Sequence, residues 1–202
     1  MADLCQIHPK SPQLRQVDKV RDALLDGAVI LYPTDTVYAI GCDLNHKGAV
    51  QRVRQIKQSA NKPLTFLCPS LSNIAKYAQV SDPAYRLMRS LVPGPFTFIL
   101  PATKLVPKLV MDPKRRTTGI RVPNLPIPQA LLESLGNPII STSAYSQGNS
   151  ELSSFELFDQ LDKIVDLIVD DGLDLSFEVS TIIDLTGDQP EVLRQGLGKF
   201  SI

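Results

Sequence analysis

The chain has 202 residues, of which 43% are hydrophobic and 21% charged, a composition typical of a globular domain rather than of a disordered chain. Lys plus Arg and Asp plus Glu number 21 each, so the net charge is zero. No overall field therefore attracts the protein to nucleic acid or to a membrane surface, and any such attraction must come from a local patch.

Apolar spacing and turn residues predict short elements that alternate along the chain. In the first half these are helix 11–27, strands 28–32 and 37–42, helix 47–58, strand 63–68 and helices near 70–78 and 82–91. In the second half they are strands 96–100 and 118–122, helix 126–135, strand 138–142, helix 153–161, and strands 165–169, 180–185 and 191–194. The basic segment 104–117 is predicted to be irregular or partly helical.

The alternation of strands and helices predicts the α/β class. We expect a single domain, 1–202, built on one twisted mixed sheet with flanking helices, because no repeat, low-complexity segment or linker divides the chain.

The three cysteines have no C-x-x-C spacing and an odd count, which favours a reducing compartment over a disulfide framework. Only two histidines, His8 and His46, are present, too few to favour a zinc site. The N-terminus lacks the pattern of a signal peptide, and no apolar run approaches the roughly 20 residues of a membrane span. The sequence therefore predicts a cytoplasmic protein without a protein-ligated metal.

Hydroxyl side chains follow several predicted strands. Thr34 comes after the strand 28–32, Ser141 and Ser143 end another, and Ser180 opens a third. Such hydroxyls donate hydrogen bonds to phosphate or carboxylate oxygens, and ligands collect at strand ends in open α/β sheets. The same residues also serve as caps and turn contacts, so this pattern alone leaves both interpretations open.

Arg121 stands in the apolar strand Gly119–Pro123, where a buried guanidinium needs a partner. That partner is either a structural carboxylate or a bound anion, which the planar guanidinium holds with two donors. Lys57 also has two interpretations. It could bind an anion, or it could stabilise the predicted helix, because a cation at the C-terminal end of a helix interacts favourably with the helix dipole. The sequence contains no G-x-x-x-x-G-K-[ST] phosphate loop.

A second basic feature is the segment 104–116, which carries five cations and one acidic residue. Arg115 and Arg116 at its end are candidates for contact with RNA phosphates. The segment has no aromatic residues for base stacking, and a solvated surface loop remains the alternative.

Six motifs occur in the order seen in the YrdC/Sua5 family. They are Tyr32-Pro-Thr-Asp-Thr-Val-Tyr38, Pro93-Gly-Pro95, Ile120-Arg-Val-Pro123, Ser141-Thr-Ser-Ala144, Ser180-Thr-Ile-Ile-Asp184, and Leu193-Arg194 with Gly196. The chain thus resembles this family over about residues 12–198, and it is most similar to the YciO-type branch.

The resemblance implies a twisted sheet around a large, concave, basic cavity. It also implies synthesis of threonylcarbamoyl-adenylate from ATP, L-threonine and bicarbonate, with Mg²⁺ accompanying ATP and the product entering the t6A modification of tRNA. An alternative role in the same family is binding of double-stranded RNA or tRNA with little or no catalysis.

The resemblance also implies roles for individual residues. Those expected to hold threonine, with Arg121 on its carboxylate, are Thr34, Tyr38, Arg121 and Ser180. Those expected to face the nucleotide are Lys57, Lys62, Ser141, Ser143 and Arg194.

The chain departs from the pattern of active members at four positions. Ser59 stands where the family has Arg, Leu67 where it has His, Tyr145 where it has Asn and Gln147 where it has Ser. Because these positions belong to the substrate and nucleotide ends of the motifs, the departures predict weakened synthesis on an intact scaffold.

Overall fold

Strands and helices alternate along the computed structural model, which describes residues 1–57, 63–72, 74–144, 152–174 and 176–201. The strands in this part of the chain are β1 Asp3–Gln6, β2 Ile30–Tyr32, β3 Ala39–Asp43, β4 Thr65–Leu67, β5 Phe96–Pro101, β6 Thr117–Arg121, β7 Ile139–Ser143, β8 Leu167–Asp170, β9 Thr181–Asp184 and β10 Glu191–Arg194. The α-helices are α1 Leu14–Leu25, α2 Lys47–Lys57, α3 Asp82–Leu91, α4 Pro126–Leu135 and α5 Ser154–Leu161.

The helix ends follow from local chemistry. Helix α4 begins at Pro126, whose fixed φ suits the first turn, and ends before Gly136, which adopts φ 74°. Helix α5 begins after Ser153, whose side chain accepts a hydrogen bond from the backbone N–H of Glu156, while the Glu156 carboxylate accepts one from the backbone N–H of Ser153. The sequence prediction of both helices is confirmed.

All ten described strands form one sheet in the order β1-β8-β2-β3-β7-β4-β6-β5-β9-β10. The pairs β1/β8, β2/β8, β4/β6 and β5/β9 are parallel, and the remaining neighbours are antiparallel. The predicted α/β fold with one mixed sheet is therefore confirmed.

Two apolar layers cover the sheet because successive side chains point to opposite faces. On one face Tyr32, Leu67 and Ile139 pack with helices α1 and α4, and we call this the α1/α4 face. The opposite face packs with α2, α3 and α5.

Two predictions from sequence differ from the structure. Where a helix is expected near 70–78, the structure has a 3₁₀ turn, Ile74–Lys76. Strand β1 was not predicted, because its four residues lack an apolar run and its partner β8 lies about 160 positions away in sequence. None of the described helices has the length and apolar character needed to cross a membrane.

Candidate ligand-binding site

A row of small and hydroxyl-bearing residues continues the α1/α4 face beyond Leu67. Ser141 pairs with Thr65 across β7 and β4, and Thr65 pairs with Gly119 across β4 and β6, so these residues share one face. A Cβ atom on Gly119 would lie 3.1 Å from Thr65 Oγ1 and 3.5 Å from Thr97 Cγ2, which places Thr97 beside them. We call Ser141, Thr65, Gly119 and Thr97 the hydroxyl floor.

Arg121 lies two residues after Gly119 and faces the same side of the sheet. Its Nη2 donates to Asp35 Oδ1 at 2.7 Å and to Thr36 Oγ1 at 2.8 Å, with Thr34 Oγ1 at 3.5 Å. The side chains of Arg121 and Asp35 are each only 10% exposed. Of the two partners that the sequence leaves open for this guanidinium, a structural carboxylate and a bound anion, the structure shows the carboxylate, Asp35, and contact of Arg121 with a ligand stays a prediction.

The Arg121–Asp35 pair does not use all of its hydrogen-bonding atoms. Arg121 Nε and Asp35 Oδ2 are both buried and have no hydrogen-bond partner among the described residues. A guanidinium and a carboxylate can form two parallel hydrogen bonds, whereas this pair forms one. Among the buried atoms of the pair, one donor and one acceptor therefore remain to be satisfied.

A second guanidinium, that of Arg194, lies at the end of β10. Its Nε and Nη2 donate to the Ser180 carbonyl oxygen at 3.0 and 2.7 Å, and Nη2 also donates to Ser180 Oγ at 3.2 Å. The hydroxyls of Ser180 and Thr97 share a hydrogen bond of 2.9 Å, which joins this group to the hydroxyl floor. Partial burial of the guanidinium and the nearby positive charge of Arg121 lower the pKa of Arg194. The site thus holds two guanidinium groups, of which that of Arg121 is paired with Asp35.

Gly196 allows the chain after β10 to approach β9 closely. Its N–H donates to Thr181 Oγ1 at 2.9 Å. A Cβ atom at position 196 would overlap the carbonyl oxygen of Val179 and lie 2.7 Å from the carbonyl carbon of Ser180. Backbone atoms cannot yield as a flexible side chain does, so the position requires glycine.

We expect Gly196→Ala to lower the free energy of unfolding by about 1–3 kcal/mol, because the overlap forces the backbone after β10 away from β9. Urea denaturation measures this change. Gly48→Ala is the matched control, since a Cβ there meets only His46 at 3.6 Å and alanine favours the helix by up to about 1 kcal/mol. Equal stability of the two variants would contradict the close approach.

Ser141, Ser143 and Tyr38 lie in three different environments. Ser141 Oγ accepts a hydrogen bond of 2.7 Å from the Tyr32 hydroxyl, and burial raises the pKa of Tyr32. Ser143 ends β7 and is exposed. Tyr38 packs with the opposite face of the sheet, where its ring contacts Phe158. Its hydroxyl donates to Asp171 Oδ1 at 3.0 Å, and its expected contact with the same ligand as Arg121 stays a prediction.

The predicted nucleotide lysines are only partly described. Lys57 Nζ donates to the Pro63 carbonyl oxygen at 2.7 Å. Lys62 lies outside the described residues, as do Ser59, Tyr145 and Gln147. Leu67, the fourth departure from the family pattern, is fully buried and pairs with Arg121 across β4 and β6.

The two arginines proposed for RNA are both exposed. Arg115 Nη2 donates to Asp184 Oδ2 at 2.7 Å and to Thr186 Oγ1 at 3.0 Å, so it has a structural role at the end of β9. Arg116 adopts φ 55°, in the left-handed region. RNA contact by either residue remains a prediction.

Asp184 provides a test of pH dependence. Burial alone would raise its pKa, but hydrogen bonds from Thr186 and Arg115 outweigh burial, and the pKa is lowered. Ionised Asp184 therefore stabilises the folded protein at pH values above the ordinary carboxyl pKa of about 4. This contribution to the free energy of unfolding is lost as the pH falls through the lowered pKa of Asp184. We expect Asp184→Asn to cost about 1–2 kcal/mol at pH 7 and less at pH 3, as measured by urea denaturation. A cost that is the same at both pH values would contradict this assignment, and the exposed Asp188→Asn is the control.

Sequence reasoning missed several residues of the site. The sequence assigns no individual role to Thr65, or to Asp35 and Thr36 of the first motif, although each is polar within or next to an apolar strand. That placement is the signal that could have identified them, since a polar side chain in a buried strand needs a partner.

A separate groove of about 600 Å³ lies beyond the ends of β4 and β6. Tyr85 and Arg89 from α3 and Asn124 before α4 line it, and it contains none of the predicted site residues.

Within the part of the chain described, no group of three or more His, Cys, Asp or Glu side chains could hold a metal ion.

Comparison with known proteins identifies relatives of the whole chain. The family model Sua5_yciO_yrdC, described as "Telomere recombination", matches residues 22–196. The "Uncharacterized protein YciO" of Escherichia coli (strain K12) is 43% identical over 201 residues, which cover 98% of this chain and 97% of that protein. A crystal structure of E. coli YciO covers 98% of both chains with a TM-score of 0.92 and 42% identity.

Two further similarities bear on chemistry. The "Threonylcarbamoyl-AMP synthase" of Vibrio vulnificus (strain YJ016) is 33% identical over 188 residues, covering 91% of this chain and 98% of that protein. The crystal structure of P. abyssi Sua5 complexed with L-threonine has a TM-score of 0.85 and 25% identity. That alignment covers 96% of this chain and 57% of the longer Sua5 chain.

Proposed function

The chain belongs to the Sua5–YciO–YrdC family, and we propose that it binds ATP and L-threonine over the hydroxyl floor and forms threonylcarbamoyl-AMP. Two similarities support the proposal. One is to a relative that is called threonylcarbamoyl-AMP synthase, and the other is to a Sua5 crystal structure in complex with L-threonine. The product of this reaction would enter the t6A modification of tRNA.

The observation that carries the proposal is the presence of two guanidinia beside a row of hydroxyls. Arg121 lies two residues after Gly119 on the same face of the sheet, and the Ser180–Thr97 hydrogen bond joins Arg194 to the hydroxyl floor. Thr65 has no hydrogen-bond partner among the described residues and can donate to a ligand oxygen. A triphosphate and a carboxylate are anions that such a surface attracts.

The chemistry requires positioning more than a protein nucleophile. Bicarbonate takes up a proton and loses water to give carbon dioxide. The ammonium group of threonine loses a proton, the amine nitrogen attacks the carbon of carbon dioxide, and loss of a second proton gives a carbamate. A carbamate oxygen then attacks the α-phosphorus of ATP, the bond to the β-phosphate oxygen breaks, and pyrophosphate leaves. Arg194 with Ser141 and Ser143 would hold the phosphates, and Arg121 with Thr34 and Ser180 would hold threonine. Neutralising phosphate charge and aligning the two substrates lowers the barrier.

Mg²⁺ would be carried by ATP rather than by the chain. Within the described residues no cluster of carboxylates, histidines and cysteines could bind a metal ion. Mg²⁺ commonly keeps several waters and is held largely by substrate phosphates. We therefore place the ion on the phosphates, where it would add to the charge neutralisation by Arg194.

The test is incubation of the protein with ATP, Mg²⁺, bicarbonate and L-threonine, followed by measurement of pyrophosphate and of the adenylate product. We expect pyrophosphate release that depends on both threonine and bicarbonate. Release that is unchanged when threonine is omitted, or no release and no ATP binding at millimolar concentration, would exclude the synthase.

Binding of RNA is the second candidate. Exposed cations favour contact with RNA phosphates. All five cations of the segment 104–116 are exposed, namely Lys104, Lys108, Lys114, Arg115 and Arg116. Absence of turnover together with RNA binding that weakens as salt rises would favour this role.

A further inference from the structure

We propose that the groove beyond the ends of β4 and β6 binds a small aromatic carboxylic acid. This groove, which we call the end groove, is lined by residues that follow both strands, by α3 and by the start of α4. Its volume of about 600 Å³ lies within the range of small-molecule sites. Its described lining residues include no member of the hydroxyl floor and neither Arg121 nor Arg194, so the inference is independent of the proposed function.

The first argument is the charge of the end groove. Among the described residues that line it, Arg89 is the only charged one. Arg89 is exposed and forms no hydrogen bond or ion pair with the described residues. One positive charge is neutralised by one negative charge, which is the charge of a carboxylate at pH 7, whereas a phosphate monoester carries nearly two. A guanidinium also binds a carboxylate through two parallel hydrogen bonds.

The second argument is the aromatic ring beside this cation. Tyr85 precedes Arg89 by four residues on α3, so the two side chains are neighbours on the helix surface. The Tyr85 side chain lines the end groove and is 43% exposed. A ligand whose carboxylate binds Arg89 can therefore stack an aromatic ring on Tyr85. Further apolar lining surface comes from Val92, Leu125 and Pro126.

The third argument is that hydrogen bonds already hold the lining segments in place. Gln129 Nε2, on the first turns of α4, donates to the Pro123 carbonyl oxygen at 2.7 Å. The Gly94 N–H donates to the Val122 carbonyl oxygen at 3.0 Å. Prolines with a fixed φ stand in each of the loop segments that line the end groove, namely Pro69, Pro93, Pro123 and Pro126. A ligand therefore binds without ordering these segments, which lowers the cost of binding.

The test compares three probes that differ in the groups of interest. 3-Phenylpropionate carries the ring and the carboxylate, 3-phenylpropanol lacks the carboxylate, and propionate lacks the ring. Binding to the unmodified protein is measured by NMR titration of the backbone amides. We expect 3-phenylpropionate to bind at least about tenfold more tightly than either analogue. It should shift the amide signals of Ser70, Tyr85 and Asn124, which line the end groove.

Arg89→Gln should abolish the preference for 3-phenylpropionate over 3-phenylpropanol, because it removes the positive charge of the end groove. Arg86→Gln is the matched control, since Arg86 is exposed on the same helix and does not line the groove, and it should keep the full preference. No saturable binding of 3-phenylpropionate, equal binding of the acid and the alcohol, or an unchanged preference in Arg89→Gln would each overturn the proposal. Signal shifts confined to Thr65 and Thr97 would also overturn it, because they would place the probe on the hydroxyl floor. The proposed function is decided separately by threonine-dependent release of pyrophosphate.

Discussion

Replacing Arg121 with alanine is expected to lower the free energy of unfolding by about 3–5 kcal/mol, because Asp35 would remain buried without its counter-charge. The same variant should lose threonine binding. Urea denaturation gives the first quantity and calorimetry the second. A large loss of stability distinguishes an Arg121 that is paired with Asp35 from an unpaired one, whose removal would change the free energy of unfolding little.

The double variant Arg121→Met with Asp35→Asn tests the cause. It removes both charges, so we expect it to recover much of the stability lost by Arg121→Ala while still failing to bind threonine. Arg52→Ala is the control, because its exposed pair with Asp166 should contribute at most about 1 kcal/mol. A cost below 1 kcal/mol for Arg121→Ala would show that Asp35 needs no partner.

The second large effect concerns Arg194. We expect Arg194→Ala to reduce threonine-dependent pyrophosphate release by about 10²-fold, because a cation placed on the phosphates stabilises charge that develops in the transition state. Arg194→Lys should recover only part of this rate, since lysine keeps the charge but loses the planar pair of donors on Ser180.

Arg86→Ala controls for the loss of one positive charge, because Arg86 is exposed on α3 and is not part of the site. Its rate should match that of the unmodified protein. Arg194→Ala also removes hydrogen bonds to the Ser180 carbonyl oxygen, so each variant is assayed at a temperature where urea denaturation shows it folded. A rate within threefold of the unmodified protein would remove Arg194 from the nucleotide site.

The elements predicted from sequence are those whose signals are local. The bounds of α4 follow from Pro126 and Gly136, and the start of α5 follows from Ser153, because caps depend on residues within a few positions. Strand β1 and the 3₁₀ turn Ile74–Lys76 were not predicted. Each depends on contacts with residues that are distant in sequence. Strand β1 pairs with β8, and the 3₁₀ turn buries Ile74 in the core.

The amino-acid sequence by itself determined the α/β class, the family, and the presence of Arg121, Arg194 and hydroxyls at strand ends, because these depend on residue type and order. Only the tertiary structure decided which of these side chains meet. It paired Arg121 with Asp35, joined Arg194 to Ser180, and turned Tyr38 to the opposite face. The physical reason is that a buried charge takes its partner from whatever the sheet register brings within hydrogen-bond distance, and register is a property of the folded chain.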